Sequence, residues 1–289
     1  MNKNLSFAVL MIFVSVCGVL IWDHYTTSFL PDELLKPIKT RNTPPASVEE
    51  EQPKAALFPV PKPNDVAKPD PVETKEADES TLSTDDIVED EPLPELDQSD
   101  HPIRDMLGDF FPIFQLTELF SFENLIRHFT TTIDGAMGPK LPRKFSFANH
   151  PEGQFLVEES DTDKIYTVDE RNYDRYPGFV HLIEDTEVSH IIYVYVQFYP
   201  LFQKAYEELG YPNSYFNDRL VEIIDHLLAT PDIPEKIELI KPKVFYQFAD
   251  PNLESLSASQ KLLLRIGPKN AAKVRQKLDE LRKALAHLK

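Results

Sequence analysis

Cysteine and tryptophan occur once each in 289 residues, as Cys17 and Trp22, both near the start of the chain. A single cysteine excludes an intramolecular disulfide, so whatever domain follows is held by packing alone. Glycine is also scarce at 8 residues, against 25 prolines. No P-loop, nucleophile elbow or dinucleotide fingerprint is present, which removes the common nucleotide and hydrolase signatures. No internal repeat is apparent. Charge is absent from Leu5 to Trp22, and this absence is the first positive sign.

An uncharged run of 18 helical residues rises ~27 Å, close to the hydrocarbon thickness of a bilayer. Lys3 precedes the run and Asp23 follows it. The positive-inside rule then places the N-terminus in the cytoplasm and the rest outside, with Trp22 and Tyr25 as interfacial aromatics. The apolar run exceeds a usual signal-peptide core and lacks a small-x-small cleavage site, so an uncleaved anchor is expected over residues 1–25. Cys17 raises a lipoprotein alternative, but Val16 stands where a small residue belongs and apolar residues continue beyond it. It reads as a membrane-buried thiol.

From Pro31 to Asp100 there are 12 prolines, 19 acidic and 7 basic residues and no glycine, hence a net charge of −12 out of −18 for the chain. A stretch so poor in large apolar side chains does not bury enough surface to offset chain entropy. Residues 26–98 are therefore expected to be a disordered, extended spacer. Within it, "LFPVPKP" is the segment that would dock a partner if the spacer has a sequence-specific role.

Residues 99–289 are long enough for one core. Ser99 or Asp100 caps a helix started by Pro102, and a second helix is predicted over "TELFSFENLIRHFTTTID", ending before Gly135. Apolar and polar residues alternate in "KFSFA", "QFLVE" and "KIYTV", which predicts a three-stranded antiparallel meander. Helices follow over about 179–198, from Pro200 to Leu209, and from Ser214 to Ala229. After an irregular "IELIKPKVFYQFADP", Ser257 and Gln260 form a capping box; Gly267 ends that helix and Pro268 starts the last, with Val274, Leu278, Leu281, Leu285 and Leu288 on one stripe. The fold class is mainly α (α+β).

The stretch "YFNDRLVEIIDHLL" concentrates the candidate chemistry. On a helix, Asp218, Arg219, Glu222, Asp225 and His226 share an arc of about 100°, opposite Leu220, Ile223, Ile224, Leu227 and Leu228. Asn217, Asp218, Arg219, Glu222, Asp225 and His226, joined by Asp250 and Arg265, make the candidate interaction surface. Asp218, Glu222 and His226 also have a spacing that suits a metal-dependent hydrolase, the alternative reading. An amphipathic helix produces such a face by default, so a non-enzymatic surface is the expectation, with no cofactor.

Three further patterns point elsewhere than chemistry. Glu187 and His190 have the Glu-x-x-His spacing of di-iron bundles, but no second copy exists. "LLLRIGPKNAAKV" resembles half of a helix-hairpin-helix DNA motif, yet Arg265 occupies its first glycine position and the chain is acidic, so no nucleic acid is expected. Aromatics from Tyr193 to Phe216 follow a core stripe rather than a sugar-stacking platform.

"FYPLFQKAYEELGYPNSYFNDRLVEIIDHLLATP" and "KPKVFYQFADPNLESLSASQKLLLRIGPKNAAKV", with the N-terminal span and acidic spacer, resemble a family of Gram-negative bacterial proteins known as domain of unknown function 3014, over roughly residues 93–285. The resemblance implies an anchored envelope protein, with no activity or site residue to carry over. The combined expectation is a single-pass inner-membrane protein with a periplasmic binding or scaffolding domain, whose partner is an envelope protein or cell-wall component.

Overall fold

The computed structural model describes residues 55–69, 93–141, 143–149, 153–160, 165–232 and 236–288. The predicted anchor over residues 1–25 lies outside them. Among the described residues, no helix is long and apolar enough to cross a membrane.

Helices dominate. In chain order they are α1 (Asp100–Gly108), α2 (Ile113–Leu119), α3 (Leu125–Gly135), α4 (Pro177–Asp185), α5 (Val188–Glu208), α6 (Phe216–Leu228), α7 (Pro251–Glu254), α8 (Ala258–Arg265) and α9 (Pro268–Ala286). The long α5 is the spine, against which α1, α3, α6 and α9 all pack. At its centre, the Phe202 ring stacks on Phe216 with centroids 5.8 Å apart, and Phe129 meets Phe202 edge-on at 5.3 Å. Such buried aromatics contribute about 1.5–3 kcal/mol each by area alone. The predicted stripe of α9, Val274, Leu278, Leu281, Leu285 and Leu288, is buried in the same core.

Three helix boundaries differ from the sequence reading. The helix predicted over about 179–198 is interrupted, because Thr186 and Glu187 are extended between α4 and α5. The single helix predicted across residues 117–134 is two, because Asn124 takes a left-handed φ of 52° at the start of α3 and the chain between them is extended at Phe120. Conversely, Pro200 does not begin a new helix. It sits inside α5, whose buried residues from His190 to Tyr206 supply enough packing to outweigh the lost backbone hydrogen bond.

The sheet also differs: it has four strands, not three. β1 (Val157–Glu159), β2 (Ile165–Val168), β3 (Glu238–Ile240) and β4 (Gln247–Phe248) pair antiparallel in that order. Val157 opposes Val168, Ile165 opposes Ile240 and Leu239 opposes Phe248. "KFSFA" is not a strand of this sheet: Arg143–Phe145 is a 3-10 turn, and Ala148 makes only an isolated bridge to Phe120. Phe147 is fully buried in the helical core, which explains the apolar alternation without a ladder. The sheet has a small core of its own, built from Val168, Ile237, Leu239, Phe248 and Leu264.

Residues 55–69 bring the largest departure from expectation. They belong to the stretch predicted as spacer, yet they lie against the helical domain as a strap. Pro61 is buried, and Phe58, Val60 and Val66 pack on the main core. A 3-10 turn at Pro63–Asp65 is closed by the Lys62 amide donating to Asp65 at 2.9 Å. Lys68 then pairs with Asp109 at 2.9 Å.

Candidate functional site

The candidate surface begins at the N-terminus of α6. Tyr215, the residue before it, offers no side-chain cap. Gln203 of α5 replaces the cap: its Oε1 accepts from the Phe216 amide at 2.9 Å and from the Tyr199 hydroxyl at 3.1 Å. That leaves the first-turn side chains of α6 free to bind other chain segments.

Asn217 is fully buried, not on the exposed face. Its Oδ1 accepts from the Tyr195 hydroxyl at 3.2 Å, and its Nδ2 donates to the Pro59 carbonyl at 2.8 Å. Burial pushes the Tyr195 phenol well up, so it stays protonated as the donor. Asp218 accepts from the Leu57 amide at 3.0 Å and the Phe58 amide at 2.9 Å. In the first turn of α6, this carboxylate also lies at the positive end of the helix dipole. Gln197, two turns along α5, donates to the Pro63 carbonyl at 2.8 Å. Asn217, Asp218 and Gln197 thus grip the strap by its backbone, and the prolines between the gripped groups have no amide left to satisfy.

The remaining polar residues of α6 tie it to its neighbours. Arg219 donates to the Asp134 carbonyl at 2.6 Å and to Glu222 at 2.7 Å. Asp225 pairs with Arg282 of α9 at 2.9 Å. His226 Nε2 lies 2.8 Å from the Ser257 hydroxyl, and the His226 carbonyl accepts from Gln260 at 3.1 Å. Burial is the main force lowering the His226 pKa, which favours the neutral ring. The Ser257–His226 pair has the spacing of a nucleophile and base. Ser257, however, is buried, and its Oγ already accepts from the Gln260 amide at 3.2 Å as the cap of α8.

Asp250 and Arg265 do not join this face. Asp250 caps α7 by accepting from the Asn252 amide at 2.8 Å, and the Arg265 guanidinium lies 5.4 Å over the Phe248 ring in the sheet's core. For the metal reading, no group of three or more His, Cys, Asp or Glu among the described residues is placed to hold an ion. Glu187 precedes α5, while the His190 ring packs 4.7 Å from that of Phe110.

Between the strap and α6 lies an open cleft of about 700 Å³, lined by Ala55, Leu57 and Phe58 on one side and by Asp218, Arg219, Glu222 and Asp225 on the other. Tyr206 contributes to the floor; burial pushes its phenol up to about 12, so it remains a hydroxyl donor. The sequence reading located the α6 wall. It missed Gln197 and Tyr195, whose polar atoms lie among the apolar residues of the first half of α5, and it named "LFPVPKP" only as a segment that would dock elsewhere.

These features define a helical domain with a four-stranded antiparallel sheet and an N-terminal strap gripped along its backbone. Residues 125–282 match the family model described as Protein of unknown function (DUF3014), and the chain belongs to that family. The match begins at α3, so the strap and α1 lie outside it, whereas the whole of α6 lies within. No curated protein and no solved structure matches the chain.

Proposed function

We propose that this protein is a non-enzymatic binding or scaffolding module of the cell envelope, carried on the inner membrane by residues 1–25 with its folded domain in the periplasm. The uncharged run from Leu5 to Trp22, between Lys3 and Asp23, supports the anchor and its direction. The binding surface is the cleft beside α6. Its carrying observation is the way the polar residues are used: Asn217 and Asp218 hold main-chain groups of another segment, while Glu222 and Asp225 line the open space next to it.

In-cell photo-crosslinking tests the surface. Glu222 keeps 54% of its side chain exposed, whereas Ile224 on the opposite face is 2% exposed. A photoreactive residue at position 222 should give a discrete adduct that one at 224 does not. Equal labelling from both, or none from 222, would overturn the assignment of this face.

A further inference from the structure

We propose that the α5–α6 groove is a recognition site for an extended, proline-containing polypeptide, and that residues 57–63 of the chain occupy it as a built-in competitor. This deepens the reading of the cleft given above and rests on it.

The contacts themselves point to a peptide ligand. Four of them go to main-chain groups: the Leu57 and Phe58 amides on Asp218, the Pro59 carbonyl on Asn217 and the Pro63 carbonyl on Gln197. No contact in this set reads the identity of a side chain. A groove built this way accepts a segment that presents two consecutive amides, a carbonyl on the next residue and another carbonyl four residues beyond that. Prolines at alternate positions, as in Pro59 and Pro61 ahead of the 3-10 turn that Pro63 begins, restrict such a segment in advance and reduce the ordering cost of docking.

The apolar complement is present but small. Pro61 is buried, and Phe58 and Val60 pack on the core, while Leu57 remains 81% exposed. A strap held by so little surface depends on its covalent attachment, which supplies an effective concentration on the order of millimolar. A foreign segment of the same chemistry, with a better residue than Leu57 at the exposed position beside the cleft, displaces it. Release would open the strap side of the cleft that Ala55, Leu57 and Phe58 now wall off.

The test uses the full chain in detergent micelles and a fluorescent peptide, AALFPVPKPNDV, corresponding to residues 55–66. Polarisation should report weak binding to the wild type. Binding should be about tenfold tighter or more for a Leu57→Pro/Phe58→Pro variant, which lacks both strap amides and so frees the groove. The same peptide N-methylated at its Leu and Phe amides should not bind, and Asp218→Asn in the released background should abolish binding. A released variant of unchanged helicity that gains no affinity would overturn the proposal.

Hydrogen exchange on the unaltered protein covers the case in which the released variant does not fold. The Leu57 and Phe58 amides should exchange by local opening, faster than the amides in the middle of α6. If they were protected as strongly as α6, the strap would be an integral part of the fold. Peptide titration judges the strap whether or not a partner is found, and crosslinking from position 222 judges the surface whether or not the strap moves.

Discussion

Asn217 looks like one more polar residue on a polar helix face, but its burial changes what its loss would do. Replacing it with alanine leaves the Tyr195 hydroxyl and the Pro59 carbonyl without their partner. An unpaired polar group in the interior costs about 1–3 kcal/mol. Asn217→Ala should lower the urea midpoint accordingly with an unchanged slope, and Tyr195→Phe added to it should recover part of the loss. If the two changes simply add, the hydrogen bond is not what Asn217 contributes. His226 gives a pH-dependent counterpart. Burial and, less strongly, Arg219 lower its pKa below the ordinary 6.5, against the opposing pull of Glu222. Below that ordinary value the unfolded chain takes up a proton that the folded chain resists. Stability from this group is therefore complete above about 6.5 and falls as pH drops through it, levelling beneath the folded pKa. His128 is shifted the same way by burial and adds to the slope. Urea midpoints measured from about pH 7 to about pH 5 should fall, and fall less in His226→Gln. An identical slope in that variant would remove His226 from the account.

At the scale of elements, Gly267 carries the sharpest expectation. It joins α8 to α9 with φ at 86°, and a Cβ there would come within 2.6 Å of the Tyr173 ring. Gly267→Ala meets both obstacles: about 1–3 kcal/mol for the backbone conformation, and a clash on top of it. Tyr173→Ala in the same chain should return the clash portion and leave the backbone portion, as thermal denaturation would show. Full recovery would mean that the conformation costs nothing. This junction was legible in advance because Gly-Pro is local chemistry, as are the Ser257–Gln260 capping box and the stripe of α9. What the sequence hid was decided by distant contacts. β3 and β4 are short and read as irregular chain; only the pairing of β3 with β2, and of β4 with β3, makes them strands. Pro200 advertises a helix start, but packing on both sides carries α5 through it. In the candidate site, the amphipathic pattern identified the face of α6. It did not separate Asp218, which holds the strap, from Asp225, which is neutralised by Arg282. Charge alone groups Asp250 and Arg265 with that face, whereas the fold sends Asp250 to the cap of α7 and Arg265 to the Phe248 ring of the sheet.

For the whole molecule, the described residues form a main helical core and a smaller core under the sheet, with the strap laid across the first. The family match runs from α3 to Arg282 within α9 and includes neither the strap nor the region before it. The folded part should therefore not depend on the first 25 residues. Deleting residues 1–25 should leave the domain folded, with the same far-ultraviolet circular dichroism, and move it from the membrane fraction to the soluble fraction. The intact chain carrying an export-dependent reporter after Lys289 should give reporter activity, since Lys3 lies before the uncharged run and Asp23 after it. A soluble intact chain would sink the anchor. An inactive reporter on a membrane-bound chain would reverse its direction and put the α6 cleft on the cytoplasmic side, where its partner would have to be sought among cytoplasmic polypeptides.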